Sequence, residues 1–394
     1  MKILIVTMSL PYPPASGGAI RVHGIVEGLK QAGHEVHLLC FADDTPPSLN
    51  FPVYTLPTPQ RSKWQRLKNL IFTQQADIAG RFYDDAFANK LRVLITQHEY
   101  DIIQFEGIES ICYQPIAADA KTRAKLIFDT FNAEYNLQRV IFQIDRKNIK
   151  RLPAAIYSYL QIRRIKRYEG MMCRMADAVI AVSDEDAALL RHFRDDQTVH
   201  VIPNGIQVAR YTIDVDKVTL PGKHNIVFTG KMDYRPNVDA MIWFTEAILP
   251  HLPDVHLTIV GQQPHARLAH LNTLPNVTLT GWVDSVLPYL RAADVYIAPL
   301  RMGSGTRLKL LEAMACGCAI VATSIASSGL HPNTHTAMWI ADDAQSFAEA
   351  IITLLNTPQK RAELGEIAKK QVTDIYDWSV LIPRLLAIYD TLRG

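Results

Sequence analysis

The stretch DVYIAPLRMGSGTRLKLLEAMACGCAIVAT, Asp294 to Thr323, decides the fold. DVYIAP (294–299) and AIVAT (319–323) are short β-branched, apolar runs, and between them a glycine-rich loop opens a helix that ends at Gly317. Strands joined through a helix pair in parallel, and a parallel sheet needs helices on both faces. The same rhythm extends outward from this unit. NIVFTG (225–230), VHLTIVG (255–261) and VTLTG (277–281) precede it as strands. In the first half, KILIVT (2–7), EVHLLCF (35–41), DIIQFE (101–106), KLIFDT (125–130) and DAVIAVS (177–183) read the same way, and VHVIPNG (199–205) closes the series. Helical periodicity covers 19–31 and stops at Gly33, and SDED (183–186) supplies an N-cap with an acidic first turn. The polar, irregular run 207–224 reads as a linker. The sequence therefore predicts two doubly wound α/β domains, 1–205 and 206–377.

The totals set the class. A chain of 394 residues exceeds one ordinary core, and 48% hydrophobic with 20% charged residues describes a folded globular protein. A net charge of +2 excludes the strongly basic balance of a nucleic-acid binder. Cys40, Cys112, Cys173, Cys316 and Cys318 form no CxxC or Cys/His cluster, so neither a disulfide framework nor a zinc site is expected. No eighteen apolar residues run together, and the short apolar run after Met1 lacks the features of a signal peptide. A cytoplasmic protein is the expectation. Two segments are basic and amphipathic, RSKWQRLKNLIF (61–72) and the region 139–174, where ten Lys or Arg face two acids. They read either as solvated helix faces or as a peripheral contact with anionic lipid at the inner face of a membrane.

Ligands of open α/β sheets bind at the carboxyl ends of the strands, which singles out three loops. In SLPYPPASGGAIRVHG (9–24), Gly17 and Gly18 let backbone approach a ligand, although no GxGxxG pattern is present. In FTGKMDYRPNVDA (228–240), Lys231 follows Gly230 at the strand end with Arg235 close by, a pair that suits phosphate or simply faces solvent. The third is the loop of the opening stretch. Gly303, Ser304, Gly305 and Thr306 lead into the helix, and Arg307 and Lys309 stand in its first turn, where positive charge opposes the helix dipole. A bound diphosphate would take both the amides and the cations. Glu312, three residues after Lys309, either makes a plain salt bridge or accepts the two hydroxyls of a ribose. Phosphate plus diol describes a nucleotide.

These segments, with RYEGMMCRMADAVIAVSDED (167–186), LTIVGQQP (257–264), VTLTGWVDSVLPYLRAADVYIAPL (277–300) and YDWSVLIPRLLAIYDTL (376–392), resemble from end to end a GT-B fold retaining glycosyltransferase of family four. The resemblance implies two Rossmann-like domains facing across a cleft, with the closing helix 378–394 packing back on the first. It implies transfer of a sugar from a nucleotide-diphosphate donor, UDP- or GDP-linked, to a saccharide or lipid-linked acceptor in cell-envelope or exopolysaccharide assembly. Glu312 would hold the ribose, Gly281 to Val283 would lie beside the base, Lys231 would neutralise the diphosphate, and Gly17 and Gly18 would close over the reacting centre. Metal ions and cofactors are not expected. Three positions depart from the family pattern: Ser304 replaces the first glutamate of a pair, Asn237 replaces a second phosphate lysine, and Phe131 replaces a histidine near the donor sugar. Lys309, Arg307 or Arg235 are left to supply the second cation, and Asn132, Glu134 and Glu106 remain as further candidates for catalysis. The departures keep two alternatives open, a non-catalytic nucleotide-sugar-binding protein and a GT-B type nucleotide-sugar epimerase.

Overall fold

The computed structural model describes all residues except 15, 46, 61–72, 121, 147–150, 197, 263–264 and 303–306. The basic segment 61–72 and the loop residues Ser304, Gly305 and Thr306 therefore lie outside the described residues. The chain divides into two compact units, residues 1–204 with 381–394, and residues 205–380.

The first unit holds a parallel sheet of seven strands: β1 (Lys2–Val6), β2 (Glu35–Phe41), β3 (Val53–Leu56), β4 (Ile102–Glu106), β5 (Lys125–Asp129), β6 (Ala178–Ala181) and β7 (His200–Val201), in the order β3-β2-β1-β4-β5-β6-β7. Ile3, Leu4, Ile5 and Val6 have no exposed surface, as expected for a strand covered on both faces. β3 is missing from the sequence reading because VYTL is a four-residue edge strand, half-buried, without a continuous apolar run. The strand order reverses between β1 and β4. The helix Gly17–Gln31 follows β1 and starts two residues earlier than its apolar periodicity suggests, capped by the Ser16 hydroxyl, which accepts from the Ala19 amide. The last helix, Trp378–Arg393, contributes Ile382 against Gly28, where a Cβ would come within 2.3 Å, and Arg384 donates to the Val201 carbonyl at 3.0 Å.

The second unit holds six parallel strands: β8 (His224–Thr229), β9 (Val255–Val260), β10 (Val277–Leu279), β11 (Val295–Ala298), β12 (Ile320–Ala322) and β13 (Met338–Ile340), in the order β10-β9-β8-β11-β12-β13. β13, only three residues long, is likewise absent from the sequence reading. The 207–224 stretch is not a free linker. It contains the short helix Ala209–Thr212, and Arg291 donates to the Tyr211 carbonyl at 2.8 Å. Among the described residues no helix is long and apolar enough to cross a membrane, and no group of His, Cys, Asp or Glu could hold a metal ion.

Candidate functional site

The strand order of the second unit turns between β8 and β11, the place where an open α/β sheet leaves a crevice at its carboxyl edge. Two of the three loops singled out by sequence emerge there. β8 ends at Gly230, whose φ of +150° suits glycine. A Cβ on Gly230 would sit 2.6 Å from Asn237 Nδ2 and 2.7 Å from Lys309 Nζ. Gly261, at the end of β9 with φ +152°, is tighter still: its Cβ would come 1.8 Å from the Gly230 carbonyl oxygen. The two glycines let adjacent strand ends close together and leave the polar groups beneath them uncovered.

Those groups form one connected set. The helix Leu308–Ala315 begins after Arg307, whose side chain makes no capping hydrogen bond, and its first turn holds no acid. Lys309 lies in that turn, and its ammonium donates to Asn237 Oδ1 at 2.7 Å and stands 4.1 Å above the Phe228 ring. Asn237 in turn donates from Nδ2 to the Lys231 carbonyl at 2.8 Å. Burial, then repulsion from Arg307, pulls Lys309 down to about 7, with Glu312 opposing. One turn further along, Glu312 accepts a hydrogen bond from the Tyr211 hydroxyl at 2.8 Å, and burial raises its carboxyl above the usual range while Tyr211 and Lys309 hold it down. Both partly buried ions thus rest against neutral partners, an amide and a phenol. That arrangement costs desolvation which a bound ligand with opposite charge and hydroxyls would offset. Tyr211 was missed from sequence because it sits in the stretch read as a linker, and its only signal is an aromatic in a polar run.

The other predicted positions fall around this set. Lys231 is exposed and makes a loose pair with Asp233 at 3.4 Å. Arg235 opens the helix Arg235–Trp243. Arg301 is committed elsewhere, donating in a fork to Asp239 at 2.9 and 3.0 Å. Val283 is half-buried after β10, and its neighbour Trp282 is 67% exposed, an indole large enough to stack on a base.

In the first unit the corresponding switch point lies between β1 and β4. Gly17 is exposed, but the space over Gly18 is already filled: its Cβ would come 3.0 Å from the Phe131 ring, which also lies 2.9 Å from the Cβ position of Gly107. A side chain at Gly18 would thus crowd the Phe131 ring packed beside it. The loop carrying Asn132 is fixed by two acids, Glu169 buried and Asp186 half-buried. Glu169 accepts from the amides of Glu134 at 2.8 Å and Tyr135 at 3.1 Å, and Asp186 accepts from Ala133 at 2.8 Å. Asn132 is half-buried, with its carbonyl accepting from Thr130. Burial, with Glu109 and Asp186 adding repulsion, pushes Glu134 up to about 7.

Glu106, a further candidate for catalysis, is buried at the end of β4. It is 1% exposed, accepts from Gln104 Nε2 at 2.7 Å, and lies beside Asp129, whose two carboxylate oxygens accept from Arg21 Nη2 at 2.8 and 3.0 Å. Burial, then the Asp129 charge, raises Glu106 well above the carboxylate range, with Arg21 and Gln104 opposing. Gln104 also accepts from the Tyr389 hydroxyl of the last helix. Glu106 thus lies within a buried network that links β4, β5 and the last helix.

Residues 223–357 match the model of glycosyl transferases group 1, and residues 15–210 match that of glycosyltransferase family 4. Among curated proteins the chain is similar to a phosphatidyl-myo-inositol mannosyltransferase of Mycolicibacterium smegmatis, 24% identical over 406 residues and covering 98% of this chain and 94% of that one. Among solved structures it is similar to a sucrose-phosphate synthase from Thermosynechococcus elongatus, with TM-score 0.73 at 18% identity over 100% of this chain and 99% of that one. It is also similar to Anabaena Alr3699/HepE in complex with UDP, with TM-score 0.69 at 16% identity over 99% and 100% of the two chains. At these identities the structural likeness speaks for the fold, which is of GT-B type.

Proposed function

The chain belongs to the glycosyltransferases of group 1 and family four, and we propose that it moves a sugar from a nucleotide-diphosphate donor held in the second unit to a lipid-linked acceptor. The observation that carries this reading is the pairing of Lys309 and Glu312 on one helix at the β8/β11 switch point, one poised for phosphate and the other for a diol. In this account the diphosphate lies against the start of the Leu308–Ala315 helix and takes Lys309 and Lys231 as its cations. Asn237 does not supply a charge; it positions the Lys309 ammonium. Glu312 exchanges the Tyr211 hydroxyl for the ribose, and Trp282 with Val283 flanks the base. Charge builds on the departing diphosphate as the sugar bond breaks, so Lys231, exposed and loosely paired, contributes most where that charge is greatest. Transfer with retention needs no metal in this scheme.

A lipid-linked acceptor is favoured by two features. The name of the mannosyltransferase relative points to a phosphatidylinositol acceptor. The basic helix Leu152–Met175 exposes apolar side chains, with Ile156 at 55% and Tyr159 at 51%, a composition that suits contact with an anionic membrane at its cytoplasmic face. Mannose, again from that relative's name, is the first donor sugar to test.

Labelled GDP-mannose and UDP-glucose, incubated with prenyl-phosphate and phosphatidylinositol acceptors, test the reading. It predicts a labelled lipid product, and Lys231→Ala lowering kcat by about 10²-fold or more with a smaller change in donor affinity. Nucleotide binding with neither transfer nor hydrolysis would indicate a binding protein instead, and an isomerised sugar nucleotide formed without acceptor would indicate an epimerase.

A further inference from the structure

The Tyr211 hydroxyl stands where a ribose hydroxyl has to go. It donates to Glu312 Oε1 at 2.8 Å, whereas a vicinal diol donates to the two oxygens of a carboxylate side by side. Burial, then the Glu312 charge, raises the Tyr211 phenol above its usual range, which keeps it a donor. The backbone on both sides of this bond is held. Asp377 Oδ2 accepts from the Val208 amide at 2.9 Å, just before the helix Ala209–Thr212, and Arg291 Nη2 donates to the Tyr211 carbonyl at 2.8 Å. Glu312 is anchored in turn by Leu311 and Ala313, its two neighbours in the chain, neither of which has exposed surface. Two fixed segments, 101 positions apart, therefore bring a phenol onto the carboxylate. Tyr211 is half-buried, and turning its side chain away from Glu312 requires no movement of that backbone.

We propose that Tyr211 is a built-in competitor for the ribose, a phenol that holds Glu312 until a diol displaces it, and that it sets both nucleotide affinity and the preference for an intact ribose. The inference rests on the assignment of Glu312 to the ribose. A diol brings two donors where Tyr211 brings one, so the exchange favours the nucleotide, but by less than if the carboxylate had no partner to lose. A nucleotide without the two hydroxyls leaves the Tyr211 bond in place and gains nothing from Glu312. Sugar nucleotide and released nucleoside diphosphate carry the same ribose, so the competition weakens both, and the returning phenol speeds departure of the product.

Calorimetric titration of wild type and Tyr211→Phe with GDP and UDP, each beside its 2′,3′-dideoxy form, tests this. Tyr211→Phe removes one oxygen and keeps the ring, and circular dichroism checks its fold. The nucleotide that binds wild type is expected to bind Tyr211→Phe about tenfold more tightly, while the affinity of its dideoxy form changes by less than about threefold. In a Glu312→Ala background the same substitution is expected to change neither affinity. Unchanged or weaker nucleotide binding by Tyr211→Phe would overturn the proposal, because a phenol that only props the carboxylate is missed when it goes. A gain shared equally by the dideoxy form, or one that persists without Glu312, would overturn it as well. Failure of the underlying assignment looks different. Binding of neither nucleotide, or binding that Glu312→Ala leaves untouched, removes the ribose from Glu312 and the competition with it; Glu312-dependent binding without the gain sinks the competitor alone.

Discussion

Lys309 is the residue whose environment makes the sharpest demand. Its ammonium is partly buried against an amide and an aromatic ring and is pulled down to about 7, far below a free lysine. A group lowered in this way binds fewer protons folded than unfolded, so it destabilises the ligand-free fold below about pH 7, and that penalty fades as pH rises from there toward the ordinary lysine range. A diphosphate restores the charge and therefore takes up a proton on binding. Because the diphosphate diester of a sugar nucleotide exchanges no proton near neutrality, donor affinity is expected to fall as pH rises above about 7. Calorimetry in buffers of different ionisation enthalpy should register the proton uptake, and Lys309→Met should abolish both the uptake and the pH dependence. A pH-independent affinity in the native protein would remove Lys309 from the site. The sequence displayed the cation in the wrong electrostatic place, at a helix start, and that is what singled it out. It could not display the Asn237 seat, which is made by side chains seventy-odd positions apart.

At the scale of elements, strands buried on both faces were legible because their apolar runs are continuous, as in KILIV and NIVFT. β3 and β13 were not, since three or four residues of mixed character at or near a sheet edge carry no period. The helix Ala209–Thr212 was lost for the same reason, and with it Tyr211, the partner of Glu312. Glycines were visible as signals, but their surroundings were not: Gly18 lies beside Phe131, Gly230 against Asn237 and Lys309, and Gly261 against the Gly230 backbone. Gly261→Ala should therefore be among the most damaging small changes in the second unit, because it combines a positive φ with a backbone collision. A loss of about 2–4 kcal/mol is expected from strain and overpacking, read as a lowered urea midpoint. Gly33→Ala, with φ +81° but nothing within 4 Å, should cost less, and equal losses would remove the collision from the explanation.

For the molecule as a whole, the first unit is tied together by a buried polar network in which the last helix joins the first sheet through Tyr389 and Gln104. Glu106 belongs to that network, and its raised pKa gives a test of its role. The folded state keeps a proton that the unfolded chain releases above the usual carboxylate range, so stability attributable to this group falls as pH rises from about 4.5 toward neutrality. Glu106→Gln should leave turnover intact and flatten that fall, as followed by thermal unfolding across pH. A large loss of kcat would return Glu106 to the reacting centre. The sequence suggests a nucleotide at the second sheet because its loop-to-helix chemistry is local, whereas roles in the first unit depend on which side chains meet across β1, β4 and β5. The central claim is that the Leu308–Ala315 helix holds the donor through Glu312. Calorimetric binding of the preferred sugar nucleotide to wild type and to Glu312→Ala, with the fold checked by circular dichroism, tests it most directly. The account predicts about 10- to 100-fold weaker binding, the loss of charged hydrogen bonds to a diol; an unchanged affinity in the folded variant would contradict it.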